Sequence, residues 1–139
     1  MLFRSALRLD YPPGATPLDP EELEGLVPAH IERRDELNEW ESRNVLKAEK
    51  WLLGQRRKDI LSLDFVRQLH RRMFDETWKW AGTFRTSEKN IGVAPAHIAP
   101  RTKDLCDDVK VQLASKSMPL DQIAAMFHHR LVSIHPFAN

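Results

Sequence analysis

Between Leu120 and Ile134 the apolar residues Leu120, Ile123, Ala124, Phe127, Leu131 and Ile134 fall at offsets of 3, 4, 7, 11 and 14, and Pro136 stands two residues further on. Steps of three and four put all six on one face of an α-helix. A proline disfavours helical backbone at the residue before it, so this helix has to end at His135. The imidazole of His135 is thereby expected at the boundary where an apolar helix gives way to a loop. A chain of 139 residues sets the scale around that helix. It suits one domain burying roughly two thirds of the surface its unfolded chain exposes.

The remaining helices read from the same periodicity. Asp19, Pro20, Glu21 and Glu22 form a helix start, with an acceptor at the cap, proline at the first position and carboxylates at the positive end of the dipole. Gly25 and Pro28 keep that helix short, and the proline-rich stretch from Tyr11 to Pro20 reads as an extended arm. From Ile31 to Leu53, Leu37, Trp40, Val45, Ala48, Trp51 and Leu52 mark one face, with Gly54 as the stop. A third helix is expected over Ser62–Trp80 and a fourth over Thr102–Lys116, the latter burying Leu105, Val109 and Leu113. Between Thr83 and Pro100 the helical period disappears. Phe84, Ile91, Val93 and Ile98 are strand-type residues there, and Asn90 and Gly92 favour a turn, so a small β-hairpin is expected. The fold class is all-α with that one hairpin.

Charge and cysteine content narrow the classes of function. Twenty-one Lys and Arg against twenty Asp and Glu leave a net charge of +1, so no sequence-wide field draws the chain to nucleic acid or an anionic membrane. Direct nucleic-acid binding is not expected, and Arg56, Arg57 and Lys58 read as a solvated charge run. No apolar run approaches the roughly 20 residues of a membrane span. Arg4 and Arg8 interrupt the opening stretch and no small-residue cleavage pattern follows, so no signal peptide is expected. The one cysteine, Cys106, forbids an intramolecular disulfide and fits a reducing, cytoplasmic setting.

Six histidines raise the question of a metal. His128 and His129 are adjacent and point about 100° apart on a helix, and no His pair has the four-residue spacing of helical zinc sites. His30, His70 and His97 read as surface or interface residues. His135 alone is held on one side and open on the other. That placement suits either a helix-capping histidine or a general base.

The neighbours of His135 add a resemblance. His135-Pro136-Phe137-Ala138-Asn139 resembles the first half of the signature of the Fic (Fido) family, His-Pro-Phe-x-Asp/Glu followed by Gly-Asn-Gly or Gly-Asn-Lys and Arg. The similarity extends upstream through "LHRRMF" at Leu69–Phe74, "WKWAGTFRTSEKNIG" at Trp78–Gly92 and the helix feeding the motif. The arrangement looks most like the branch of the family called mobile mystery protein B. It implies an N-terminal arm and short helix over residues 1–30 and a Fic domain over 31–139 that stops inside its motif.

The resemblance also implies an activity: transfer of AMP from ATP, with Mg2+ on the phosphates, to a hydroxyl of a target protein. His135 would be the general base and Phe137 the anchor fixing the loop to the core. Asn139 would stand where relatives carry the Asp or Glu that binds Mg2+, and a neutral amide oxygen weakens that site. Asn90, Ile91, Gly92 and Val93 would form a flap that pairs with a target segment by strand addition, the alternative being ordinary hairpin packing. No anion-hole glycines or phosphate-gripping arginine follow Asn139, so these 139 residues are expected to bind ATP weakly and to be inactive alone, the natural chain continuing beyond them. The family's self-inhibitory pattern, Ser or Thr, three residues, Glu, then Gly or Asn, is absent. At the best register, ending on Asn44, Arg43 replaces the glutamate and Glu39 the hydroxyl residue. Control by a companion protein is the alternative. Two rival readings share these residues: a Fic-fold transferase of phosphate or another phosphate-linked group, and a non-catalytic, toxin-like interaction module.

Overall fold

The computed structural model describes residues 9–56 and 59–139. The expectation that no signal peptide is present rests on residues 1–8, which lie outside the described residues, as do Arg57 and Lys58 of the basic run. Among the described residues five helices follow one another: α1 (Pro20–Leu23), α2 (Arg34–Leu53), α3 (Leu63–Phe74), α4 (Pro95–Ser115) and α5 (Leu120–Ile134). The described residues form two compact units. One holds residues 9–56, 68–83 and Asn139, the other residues 59–67 and 84–138. Among the described residues no helix is long and apolar enough to cross a membrane.

In the first unit, α1 begins as its sequence requires, with the Asp19 amide donating to Glu22 Oε1 at 2.7 Å. Helix α2 begins at Arg34 rather than Ile31 because Glu36 Oε2 accepts the amides of Glu32 and Arg33, at 3.1 and 3.2 Å, ahead of the first turn. Ile31 is buried with Leu26, Leu37 and Trp78 in the core of this unit. Helix α3 stops at Phe74, six residues before the expected end. Two pulls unwind it. Asn44 Oδ1 accepts the Glu76 amide and the Thr77 hydroxyl, each at 3.0 Å, and Trp78 forms an antiparallel bridge with Leu26. The Val27 amide donates to the Thr77 carbonyl and the Lys79 amide to the Gly25 carbonyl, both at 2.8 Å. Asn44 also donates to the Arg72 carbonyl and to Asp75 Oδ1, so every hydrogen-bonding position of its amide is used.

In the second unit, Ile98, Leu105 and Val109 of α4 pack against Ile123 and Ile134 of α5. The stripe that defines α5 is only partly inside. Ile123 and Ile134 are buried, whereas Leu120 is exposed, as is Leu113 of α4. The expected hairpin is not formed. Residues 83–94 contain no strand pairing, and the segment from Pro95 onward is already helix, with Pro95 in its first turn and Ile98 fully buried on its inner face. The amides and carbonyls a hairpin would have paired are bound elsewhere. Arg85 N–H donates to the Pro136 carbonyl at 2.9 Å and Val93 N–H to the Ile134 carbonyl at 3.2 Å. Helix α5 ends at His135 as required, in the left-handed conformation at φ 50° and ψ 68°.

Candidate functional site

His135 is half-buried at the end of α5, its amide shared between the carbonyls of Leu131 and Val132 at 3.2 and 3.1 Å. A left-handed residue with a side chain is disfavoured by about 1–2 kcal/mol, so something has to hold it. Arg85 does. Its guanidinium, 4% exposed, donates from Nε to the His135 carbonyl at 2.6 Å, from Nη1 to the Ser87 carbonyl at 2.8 Å, and from Nη2 to the carbonyls of Val93 and Ile134. The last-turn carbonyls of a helix lack internal partners and carry the negative end of its dipole, which makes them acceptors suited to a buried cation.

The residues after His135 are anchored in the same unit. Pro136, Phe137 and Ala138 are buried, and the Phe137 ring lies 5.5 Å from that of Phe84, which in turn sits under the Arg67 guanidinium. Of the four expected flap residues, Asn90, Ile91 and Gly92 are exposed and Val93 is half-buried. Gly92, at φ 90°, lies flush on the site. A Cβ there would stand 2.6 Å from Arg85 Nη2, 2.7 Å from His135 Cβ and 2.8 Å from the Ile134 carbonyl. A cavity of about 440 Å3 opens beside Val93, Ser133 and Ile134, edged by Arg101 and by the Arg130–Asp108 pair at 2.9 Å.

Asn139 belongs to the first unit, where it is exposed and its Oδ1 lies 2.8 Å from His70 Nε2. His70, read from the sequence as a surface or interface residue, is not on the surface. It is 7% exposed, between the rings of Phe74 and Trp80, and its Nδ1 accepts the Gly82 amide at 2.9 Å. An accepting Nδ1 assigns the ring proton to Nε2, which then donates to Asn139. Burial pushes the His70 pKa down to about 4, against the smaller upward pull of the Asn139 bond, so the ring is neutral at pH 7.

The buried settings of two residues of this region do not follow from the local sequence. Arg85 gave one usable signal, a lone cation between Phe84 and the strand-type residues that follow, which would need buried partners. His70 gave none, because its partners are 12 and 69 residues away. Among the described residues no three His, Cys, Asp or Glu side chains come together.

The chain is 29% identical over 86 residues to the protein adenylyltransferase fic-1 of Caenorhabditis elegans, an alignment covering 58% of this chain and 17% of that protein. It thus spans about a sixth of that curated relative. Two solved structures share the fold. One is the N-terminal Fic domain, with bound ADP, of a cell filamentation protein (VirB-translocated Bep effector protein) from Bartonella quintana. It matches with a TM-score of 0.65 and 17% identity over 79% of this chain and 62% of that one. The other is the N-terminal Fic domain of a Bep effector from Bartonella sp. AR 15-3, with a TM-score of 0.63 and 17% identity over 78% of this chain and 58% of that one. The sequence profile of the Fic/DOC family matches residues 60–139, more than half of the chain and the whole stretch from α3 through His135 to Asn139, and the chain belongs to that family.

Proposed function

We propose that the chain carries the proton-accepting part of a protein adenylyltransferase, moving AMP from ATP to a hydroxyl of a target protein. The observation that carries this reading is His135, fixed in a left-handed conformation at the end of α5 within the stretch the family profile matches. Imidazole is the side chain whose proton exchange suits neutral pH, and this one sits at a helix end whose backbone is tied down. In the reaction the Ser, Thr or Tyr oxygen of the target bonds to the α-phosphorus of ATP. The bond from that phosphorus to the bridging oxygen breaks, pyrophosphate leaves with the electron pair, and the hydroxyl proton passes to His135.

The residues present fit a magnesium ion poorly. Asn139 offers one neutral oxygen that already accepts the His70 proton, and among the described residues no three His, Cys, Asp or Glu side chains come together. No step is routed through the ion. The exposed residues Asn90 and Ile91 support the loop as the place where the target docks, with backbone groups setting its register. Regulation by a companion protein is part of the reading, since at the register ending on Asn44 the place of the self-inhibitory glutamate is taken by Arg43, which pairs with Glu39.

The test is label transfer by the full gene product to candidate proteins, run in parallel with ATP labelled at the α- and at the γ-phosphorus. AMP transfer moves only the α-label and is lost in His135→Ala. Transfer of the γ-label alone would assign a phosphotransferase, and no transfer of either would leave a binding module.

A further inference from the structure

We infer that Arg85 is the positioning residue for His135, and that it makes the 85–93 loop and the candidate base one mechanical piece. The inference rests on the reading of His135 as the base. It starts from the guanidinium's five N–H donors in a planar fork, which can serve several carbonyls at once. Here the fork reaches both ends of one short structural circuit. Nε and Nη2 hold the carbonyls of His135 and Ile134 at the end of α5, while Nη1 and Nη2 hold those of Ser87 and Val93 in the loop. The backbone repeats the link, with Arg85 N–H on the Pro136 carbonyl and Val93 N–H on the Ile134 carbonyl.

The second observation is steric. At Gly92 there is no space for even a methyl group between the loop, the Arg85 fork and His135 Cβ. The loop backbone therefore limits where the imidazole can swing. Removing the fork frees the His135 carbonyl and lets the loop lift from the Cβ, so the imidazole samples more than one orientation. Lysine cannot substitute fully, because a single ammonium cannot span carbonyls on both sides. A target segment that moves residues 90–93 is accordingly felt at His135 through the Arg85 side chain and the backbone contacts beside it.

The experiment uses Arg85→Gln and Arg85→Lys. In NMR spectra of the 139-residue chain, the wild type should give one set of His135 ring signals and a nuclear Overhauser contact between His135 Hβ and Gly92 Hα. Arg85→Gln should lose that contact and split or broaden the ring signals, with Arg85→Lys intermediate. In the transfer assay kcat should fall at least tenfold while the KM for ATP stays within about twofold. The role is overturned if the contact and single ring signal persist in folded Arg85→Gln, or if kcat holds while KM rises. It is also overturned if both variants lose their far-UV helix signal, which would make Arg85 a residue of the fold alone. A wild type without transfer activity counts against the adenylyltransferase reading only, and the NMR comparison then decides the role of Arg85 independently.

Discussion

His70 gives its one ring proton to Asn139: Nε2 lies 2.8 Å from Asn139 Oδ1, while Nδ1 accepts the Gly82 amide at 2.9 Å. Both contacts need the neutral ring, and charging it would turn an acceptor toward an N–H donor.

Stability should therefore fall in acid through this residue. The folded ring titrates near 4 and the unfolded one near 6.5, so the unfolded chain binds a proton first as the pH drops. The contribution is fully present above pH 6.5 and is lost between 6.5 and 4, at about 1.4 kcal/mol per pH unit and about 3 kcal/mol in all. Urea midpoints measured across that window should show this slope, and His70→Gln, which keeps an acceptor and a donor without titrating, should flatten it.

Glu41 and Trp78 make a different kind of pair. Trp78, 1% exposed, donates from Nε1 to Glu41 Oε1 at 2.9 Å, and burial lifts the Glu41 carboxyl above its usual range despite that bond and the nearby Arg34 charge. Glu41→Leu leaves a buried indole N–H without an acceptor and should cost about 1–3 kcal/mol in chemical denaturation. Glu41→Gln keeps the acceptor and removes the buried charge, so it should change stability by less than about 1 kcal/mol.

Gly92→Ala adds a methyl group where three atoms already stand within 2.8 Å, at a φ of 90°. Backbone strain alone should lower stability by about 1–2 kcal/mol, visible as a lower melting temperature. The loop then has to move off His135, so label transfer should drop in the same variant at temperatures where it remains folded.

Cys106 is 2% exposed, and burial raises its thiol pKa. An aromatic disulfide reagent at pH 7 should modify it at least about 100-fold more slowly in the native protein than in urea. Rapid native labelling would mean that α4 opens far more readily than its packing against α5 implies.

What could be read from the chain was whatever a local pattern determines. The end of α5 at His135 follows from a periodic stripe and one proline, and the start of α1 from a capping box four residues long. The boundary at Pro95 was misread because Ile91, Val93 and Ile98 have strand preferences, yet Ile98 is buried on a helix. Burial overrode propensity there. The end of α3 was misread because the groups that unwind it, Asn44 and Leu26, lie some thirty and fifty residues upstream. Around the candidate site the same division holds. His135 and Phe137 stand out by motif, whereas the Arg85 fork and the burial of His70 depend on carbonyls and rings that only the folded chain brings near.

Asn44 decides how α2 is turned about its own axis. Its helix is 20 residues long and mostly polar, with only Leu37 and Ala48 buried beside Asn44, so greasy contact alone would tolerate several angular settings. The amide does not. Rotating α2 by a fraction of a turn would break four hydrogen bonds at once and strand the buried Thr77 hydroxyl without its acceptor. A single polar residue thus works as a keyway, and the cost of every wrong angle, more than the worth of the right one, gives this helix its unique seat.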